Sequence, residues 1–165
     1  MKTNIFLIAS LLLGSVGVQA AEIDSKAAFA RLKTLAGEWQ ADTRMGKATL
    51  TYELVAGGTS LVERESAERM PAMVTVYHLD GDRLVMTHYC MAGNQPRMQA
   101  RHFDAKTGEL RFTFLDATNL ASPDAGHMRN VTFRFAGNDK LSSDWEFYEG
   151  GKPKNTERFE YSRVR

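Results

Sequence analysis

Thr49-Leu50-Thr51-Tyr52-Glu53-Leu54 alternates polar with apolar side chains, and Leu110-Arg111-Phe112-Thr113-Phe114 repeats the pattern further along the chain. A period of two puts successive side chains on opposite faces of an extended backbone, so each stretch reads as a half-buried antiparallel strand with one dry and one wet face. Outward from these two stretches, Met45-Gly46, Gly57-Gly58, Asp80-Gly81, Thr107-Gly108, Gly137-Asn138 and Gly150-Gly151 each separate two apolar-periodic runs, as tight hairpin turns do. Pro71, Pro96, Pro123 and Pro153 lie in or beside connections between the expected strands, where a missing N–H breaks no ladder bond. The spacing predicts strands over 38–44, 47–55, 59–66, 72–79, 83–90, 97–104, 109–116, 127–136, 139–148 and 154–164, with the longest connection over 116–126. Before them, Ala28, Phe29, Leu32, Leu35 and Ala36 recur at helical spacing, with Asp24 or Ser25 as cap and Gly37 as stop. No helix is long enough for parallel crossovers, so consecutive strands form a meander, and closing it removes both exposed edges. The expected fold is all-β: an antiparallel up-and-down β-barrel of about ten strands, with one short N-terminal helix over one end.

The N-terminus carries a different signal. Lys2 precedes an apolar run from Ile5 to Leu13, and Val18-Gln19-Ala20 offers small residues at signal-peptidase spacing. Residues 1–20 are expected to be a cleaved signal peptide and 21–165 one barrel domain, giving a periplasmic or secreted product. The apolar run is shorter than the roughly 20 residues of a spanning helix, and no later stretch is apolar enough to be one. The chain has 21 basic and 20 acidic residues, and Lys2 is the only charge in the first 20. The balanced, interspersed remainder offers no footprint for nucleic acid or anionic lipid. Cys90 is the only cysteine, so no intramolecular disulfide forms, and its distance from the processing site excludes a lipid anchor.

Gly37-Glu38-Trp39, opening the first strand, resembles the Gly-x-Trp signature of lipocalin-like, or calycin, barrels. The resemblance implies a Trp closing the narrow end of the barrel and a basic residue of the last strand, here Arg163, packed on it. Further segments are similar to a bacterial family of exported lipocalin-like proteins of unknown function, the DUF1579 type: Gly57 through Arg64, Met73 through Gly81, Thr87-His88-Tyr89-Cys90, Gly93 through Arg97, and Ser143 through Phe147 before Gly150-Gly151-Lys152-Pro153. The resemblance covers most of the chain beyond residue 20 and implies a fold without an activity. Members of that family often carry a second His two positions after the one matching His127. This chain has Arg129 there, which removes a His pair.

The richest group of chemical side chains runs from Thr87 to Arg97. If Asp80-Gly81 is a two-residue turn, Tyr77 pairs with Leu84, Thr75 with Met86 and Met73 with His88, so Met73, Met86, His88 and Cys90 share one face, near Met98 or His102. Thiol, thioether and imidazole together suit a soft metal such as Cu(I), but Met and Cys are also ordinary gap-fillers in a core, and no Cys-x-x-Cys or His-Glu-x-x-His spacing is present. Alternatively His88, Tyr89, Asn94, Gln95 and Arg97 anchor the polar end of a ligand at a cavity mouth, with Arg97 gripping a carboxylate. The competing reading makes Asn94-Gln95-Pro96 a plain turn and leaves Arg97 on the solvent face. Toward the C-terminus, His127, Arg129, Val131, Phe133 and Phe135 share one face, and Leu141, Ser143, Trp145 and Phe147 another. Both are expected to look inward, with His127 and Ser143 as cavity groups and Trp145 as core or ligand platform.

No catalytic residue or cofactor is assigned. Cys90 with His88 is the only nucleophile–base pair, and residues two apart on a strand project in parallel. The expected function is to bind a small, largely apolar or amphipathic molecule with a polar or anionic end, without transforming it. The alternatives are a metal-binding protein or thiol- or His-dependent enzyme using His88 and Cys90, and a filled barrel acting through its outer surface. Ligand identity, oligomeric state, and whether Phe133 and Trp145 fill the lumen are not written in the sequence.

Overall fold

The computed structural model describes residues 23–164; the proposed export segment ending at Ala20 lies outside them. A helix α1 (Ser25–Lys33) precedes ten strands: β1 (Gly37–Thr43), β2 (Gly46–Val55), β3 (Ser60–Ala67), β4 (Met70–Asp80), β5 (Arg83–Tyr89), β6 (Gln95–Asp104), β7 (Glu109–Thr118), β8 (His127–Ala136), β9 (Lys140–Glu149) and β10 (Lys152–Arg163). Each strand pairs antiparallel with the next, and β1 pairs with β10 through Trp39↔Arg163 and Gln40↔Ser162, so the sheet closes into a barrel with no free edge. The expected ten-stranded meander with one helix is the fold observed.

Three details depart from the sequence reading. The β4–β5 turn is Gly81-Asp82, closed by Asp80↔Arg83, so Thr75 rather than Met73 lies opposite His88. Because side chains alternate with period two, this two-residue shift leaves the same set facing inward. β5 ends at Tyr89, which leaves Cys90 in the following turn, where its backbone N–H donates to Asn94 O. In β8 a bulge between Met128 and Asn130 takes Arg129 out of the alternation. Met128 therefore points with Val131 and Phe133 to the interior, and Arg129 does not.

α1 closes one end. The Asp24 carboxylate caps it by accepting from Ala27 N at 2.8 Å, and Phe29 and Leu32 bury the inner face. It stops at Lys33, short of Ala36, because Thr34 N and Leu35 N bond three residues back and tighten the last turn. Trp39 is fully buried beneath it, with Nε1 donating to Leu35 O at 2.8 Å. The Arg163 guanidinium lies 4.3 Å from the Trp39 ring centroid and donates to the carbonyls of Thr34, Ala36 and Asn138. It stands 3.1 Å from where a Cβ on Gly37 would be, at a backbone φ of +122°, so glycine is required there on two counts.

Behind this lid the lumen is solid. Leu61, Leu84, Met86, Met98, Leu110 and Leu141 are fully buried. Tyr77, Phe112 and Phe133 form a triangle of edge-to-face rings with centroids 5.9–6.2 Å apart, the arrangement aromatic quadrupoles favour.

Candidate functional site

The other half of the barrel is hollow. A cavity of about 380 Å³ opens at the end away from α1, within the range of small-molecule sites. Its wall is rich in sulfur: Met45, Met70, Met73, Met91 and Met128 line it, together with Cys90, so five of the chain's eight methionines surround one space. Unbranched thioether side chains adapt their shape to what they touch. Trp145, Phe147 and Phe159 supply the aromatic wall. Trp145 meets the plug edge-on at Phe133, with centroids 6.2 Å apart and planes at 87°.

Four polar side chains line this space: His88, Glu65, Asn155 and Glu157. His88 is 2% exposed and lies against Trp145 with ring centroids 4.8 Å apart. Its Nδ1 is 2.9 Å from Thr75 Oγ1, and Thr75 Oγ1 donates to Glu63 Oε1 at 3.3 Å. A hydroxyl that gives its proton to Glu63 receives Nδ1–H from His88, so Nε2 is left as a bare acceptor. That atom is buried and has no protein partner. Burial pushes the His88 pKa down to about 4, which keeps the ring neutral near pH 7.

Glu63 and Glu65 lie two apart on β3, both on its inward face, and are 3% and 5% exposed. Glu63 accepts from Tyr77 OH at 2.7 Å as well as from Thr75, and Glu65 accepts from Tyr161 OH at 2.6 Å. No cation pairs with either among the described residues. Burial raises the pKa of Glu63. Burial, reinforced by the neighbouring Glu63 charge, pushes Glu65 up to about 7. Glu157 at the rim is different, since the Arg44 guanidinium pairs with it.

The residues singled out in the sequence fall in several places. His88 and Trp145 line the cavity, with Met73 and Cys90. Met86 faces inward but lies deeper, paired with Met98, so it is not part of the wall. Ser143 is buried opposite Phe133 and Phe159, below the cavity. His127 is buried in a separate cluster between Phe114 and Tyr148, roofed by the Arg129 guanidinium, its Nδ1 bonded to Ala125 O at 2.7 Å. Asn94 donates to Gly126 O at 2.8 Å and ties the β5–β6 turn to the β7–β8 loop. Gln95 makes a similar clasp by accepting from Thr118 Oγ1 at 2.7 Å. Tyr89 is 50% exposed and points outward. Arg97 also lies outside, paired with Asp116 through Nε and Nη2, so the anion anchor read from the sequence does not reach the cavity. His102 is exposed beyond a bulge between Ala100 and His102.

Glu63, Glu65, Met45, Met70 and Met128 were not singled out. The signal for the acids lay in Leu61-Val62-Glu63-Arg64-Glu65: an inward Leu61 carries Glu63 and Glu65 inward with it, and inward tyrosines on neighbouring strands need acceptors. Burial pushes the Cys90 thiol pKa up, which disfavours the nucleophilic thiolate. Among the described residues no group of three or more His, Cys, Asp or Glu is placed to hold a metal, and no helix is long and apolar enough to cross a membrane. A scan against protein-family models finds no match for this chain, and a search of curated proteins finds none either.

Proposed function

We propose that the chain is an exported, lipocalin-like binding protein that holds a small, largely apolar molecule in the open half of its barrel without transforming it. The observation that carries this reading is the cavity of about 380 Å³ in a barrel whose other half is packed solid. Methionine and aromatic walls supply affinity through the apolar area they cover, and the free acceptor on His88 orients a polar end. The proposed export rests on the Lys2, Ile5–Leu13 and Val18-Gln19-Ala20 pattern. Native mass spectrometry of protein taken from the periplasm of a bacterial host tests the reading. A discrete added mass, lost when the cavity is filled by Met73→Trp, is expected. Protein that is always empty and takes up no apolar compound would end it.

A second reading has one observation in its favour: Met73, His88 and Cys90 border the same space, and thioether, imidazole and thiol suit Cu(I). The raised Cys90 pKa opposes metal binding by that sulfur. Metal analysis of the same periplasmic protein separates the two readings, because stoichiometric copper lost on His88→Ala would favour the second.

A further inference from the structure

We infer that the polar end of the ligand is an organic ammonium group, received by Glu65 and His88 at the base of the cavity. The inference rests on the proposed binding function and specifies its ligand class. Three observations combine. Glu65 reaches the cavity at 5% exposure, yet among the described residues its only side-chain bond is the one accepted from Tyr161. A carboxylate removed from water without a countercharge is costly, and a bound cation removes that cost. Second, His88, also on the wall, holds a buried Nε2 with no hydrogen-bond partner among the described residues, and its Nδ1 bond to Thr75 makes Nε2 an acceptor. Third, among the described residues no lysine or arginine lines the cavity, so no positive charge there attracts an anion. A buried carboxylate with no countercharge and an imidazole acceptor suit an alkylammonium, which carries three N–H donors and no acceptor, and the Asn155 amide on the same wall can accept from it as well. The Trp145, Phe147 and Phe159 rings add faces that attract a cation.

The surroundings of Glu65 fix how this depends on pH. On its own strand it neighbours Glu63. β10 brings the Tyr161 hydroxyl and Glu157 toward it, the latter paired with Arg44; β4 contributes Met73 and β2 Leu50, neither titratable. The cavity wall also carries neutral His88 and the Cys90 thiol. The charged form of Glu65 is therefore opposed by acids and by burial and favoured by no cation, and an ammonium ligand binds best where Glu65 has lost its proton.

The test is titration of the full mature protein with decylamine, decanol and decanoate, followed by tryptophan fluorescence. Near pH 8, about one unit above the Glu65 value of about 7, decylamine is expected to bind about tenfold or more tighter than decanol, the scale of one charge-assisted hydrogen bond, and decanoate weakest. Glu65→Gln is expected to bring decylamine down to decanol and leave decanol unchanged, while Arg97→Ala changes none of the three. Should Glu65→Gln fail to fold, the wild type alone decides: the preference for decylamine must shrink at about pH 5.5, where Glu65 holds its proton. Equal binding of decylamine and decanol, or preference for decanoate, overturns the inference and leaves the binding function standing. Failure of all three probes to bind overturns both.

Discussion

The two halves of the barrel are built from the same strands but solve opposite problems. At the helix end, Trp39, Leu84, Leu110, Phe112 and Phe133 fill the lumen, and Arg163 ties the lid to three carbonyls. At the other end the same ladders carry methionines, His88 and the buried Glu65 carboxyl around an empty space. Interiors of proteins are packed to the density of organic crystals, so a void of this size forfeits contacts the closed half makes. The difference teaches how stability and the proposed binding divide the barrel: the plug holds the fold together, and on the binding reading the unpartnered acceptor in the open half is where a ligand would be met.

The largest expected effect tests that division directly. Phe133→Ala, which removes one corner of the aromatic triangle, is expected to cost about 3–5 kcal/mol, measured by urea unfolding. Met73→Ala on the cavity wall removes a side chain that already borders empty space and is expected to cost less than half as much. Equal costs would mean the two halves carry the fold alike. Next in size, Glu63→Ala strands the hydroxyls of Tyr77 and Thr75, and a buried hydroxyl without its partner costs about 1–3 kcal/mol. Glu63→Gln keeps an acceptor oxygen and is expected to cost less in the same unfolding assay.

A smaller effect is written in the pH dependence of stability. Glu65 moves from an ordinary value of 4.5 to about 7 on folding, so between those values the native state holds more protons and stability falls as pH rises. Glu63 is shifted the same way. His88 moves from 6.5 to about 4, so between those values the unfolded chain holds more protons and stability rises with pH. The two trends oppose each other between about pH 4.5 and 6.5. Thermal melts are expected to show Glu65→Gln falling less steeply than wild type across that window and His88→Gln falling more steeply. Parallel profiles for all three would contradict the buried, cation-free setting of these groups.

The smallest effect lies outside the barrel wall. Arg97→Ala breaks an exposed pair with Asp116 and is expected to cost less than about 1 kcal/mol, with probe binding unchanged. Loss of binding in this variant would return Arg97 to the site.

Much of the fold was legible because most strands carry their own period and most turns their own glycine, the Glu68-Arg69 turn between β3 and β4 being an exception. Leu50-Thr51-Tyr52 reads as a strand in isolation, whereas the contact of Arg163 with Trp39 was implied only by the resemblance of Gly37-Glu38-Trp39 to the Gly-x-Trp signature. The site was legible only in part. His88, Trp145, Met73 and Cys90 stood out by their chemistry, but Tyr89 and Arg97 were drawn in by proximity in sequence, and alternation sends both to the outer face. Glu63 and Glu65 escaped notice because Val62 and Arg64 offer no cleaner outward face, so local patterning did not choose between the two. Their inward direction is set by pairing with β2 and β4, which is long-range information. Met128 required knowing of a bulge, and a bulge has no fixed sequence sign.

The central claim, that the open half takes up a ligand and the closed half does not, is tested most directly by the methionine methyl groups, which are distributed across both. With methyl-labelled methionine, two-dimensional NMR follows Met45, Met70, Met73, Met91 and Met128 around the cavity and Met86 and Met98 in the packed half in one spectrum. Addition of decanol is expected to shift the five cavity methyl resonances and leave Met86 and Met98 in place. If the cavity methyls stay fixed at saturating probe, or if Met86 and Met98 move as far as they do, the barrel is not divided in the way described.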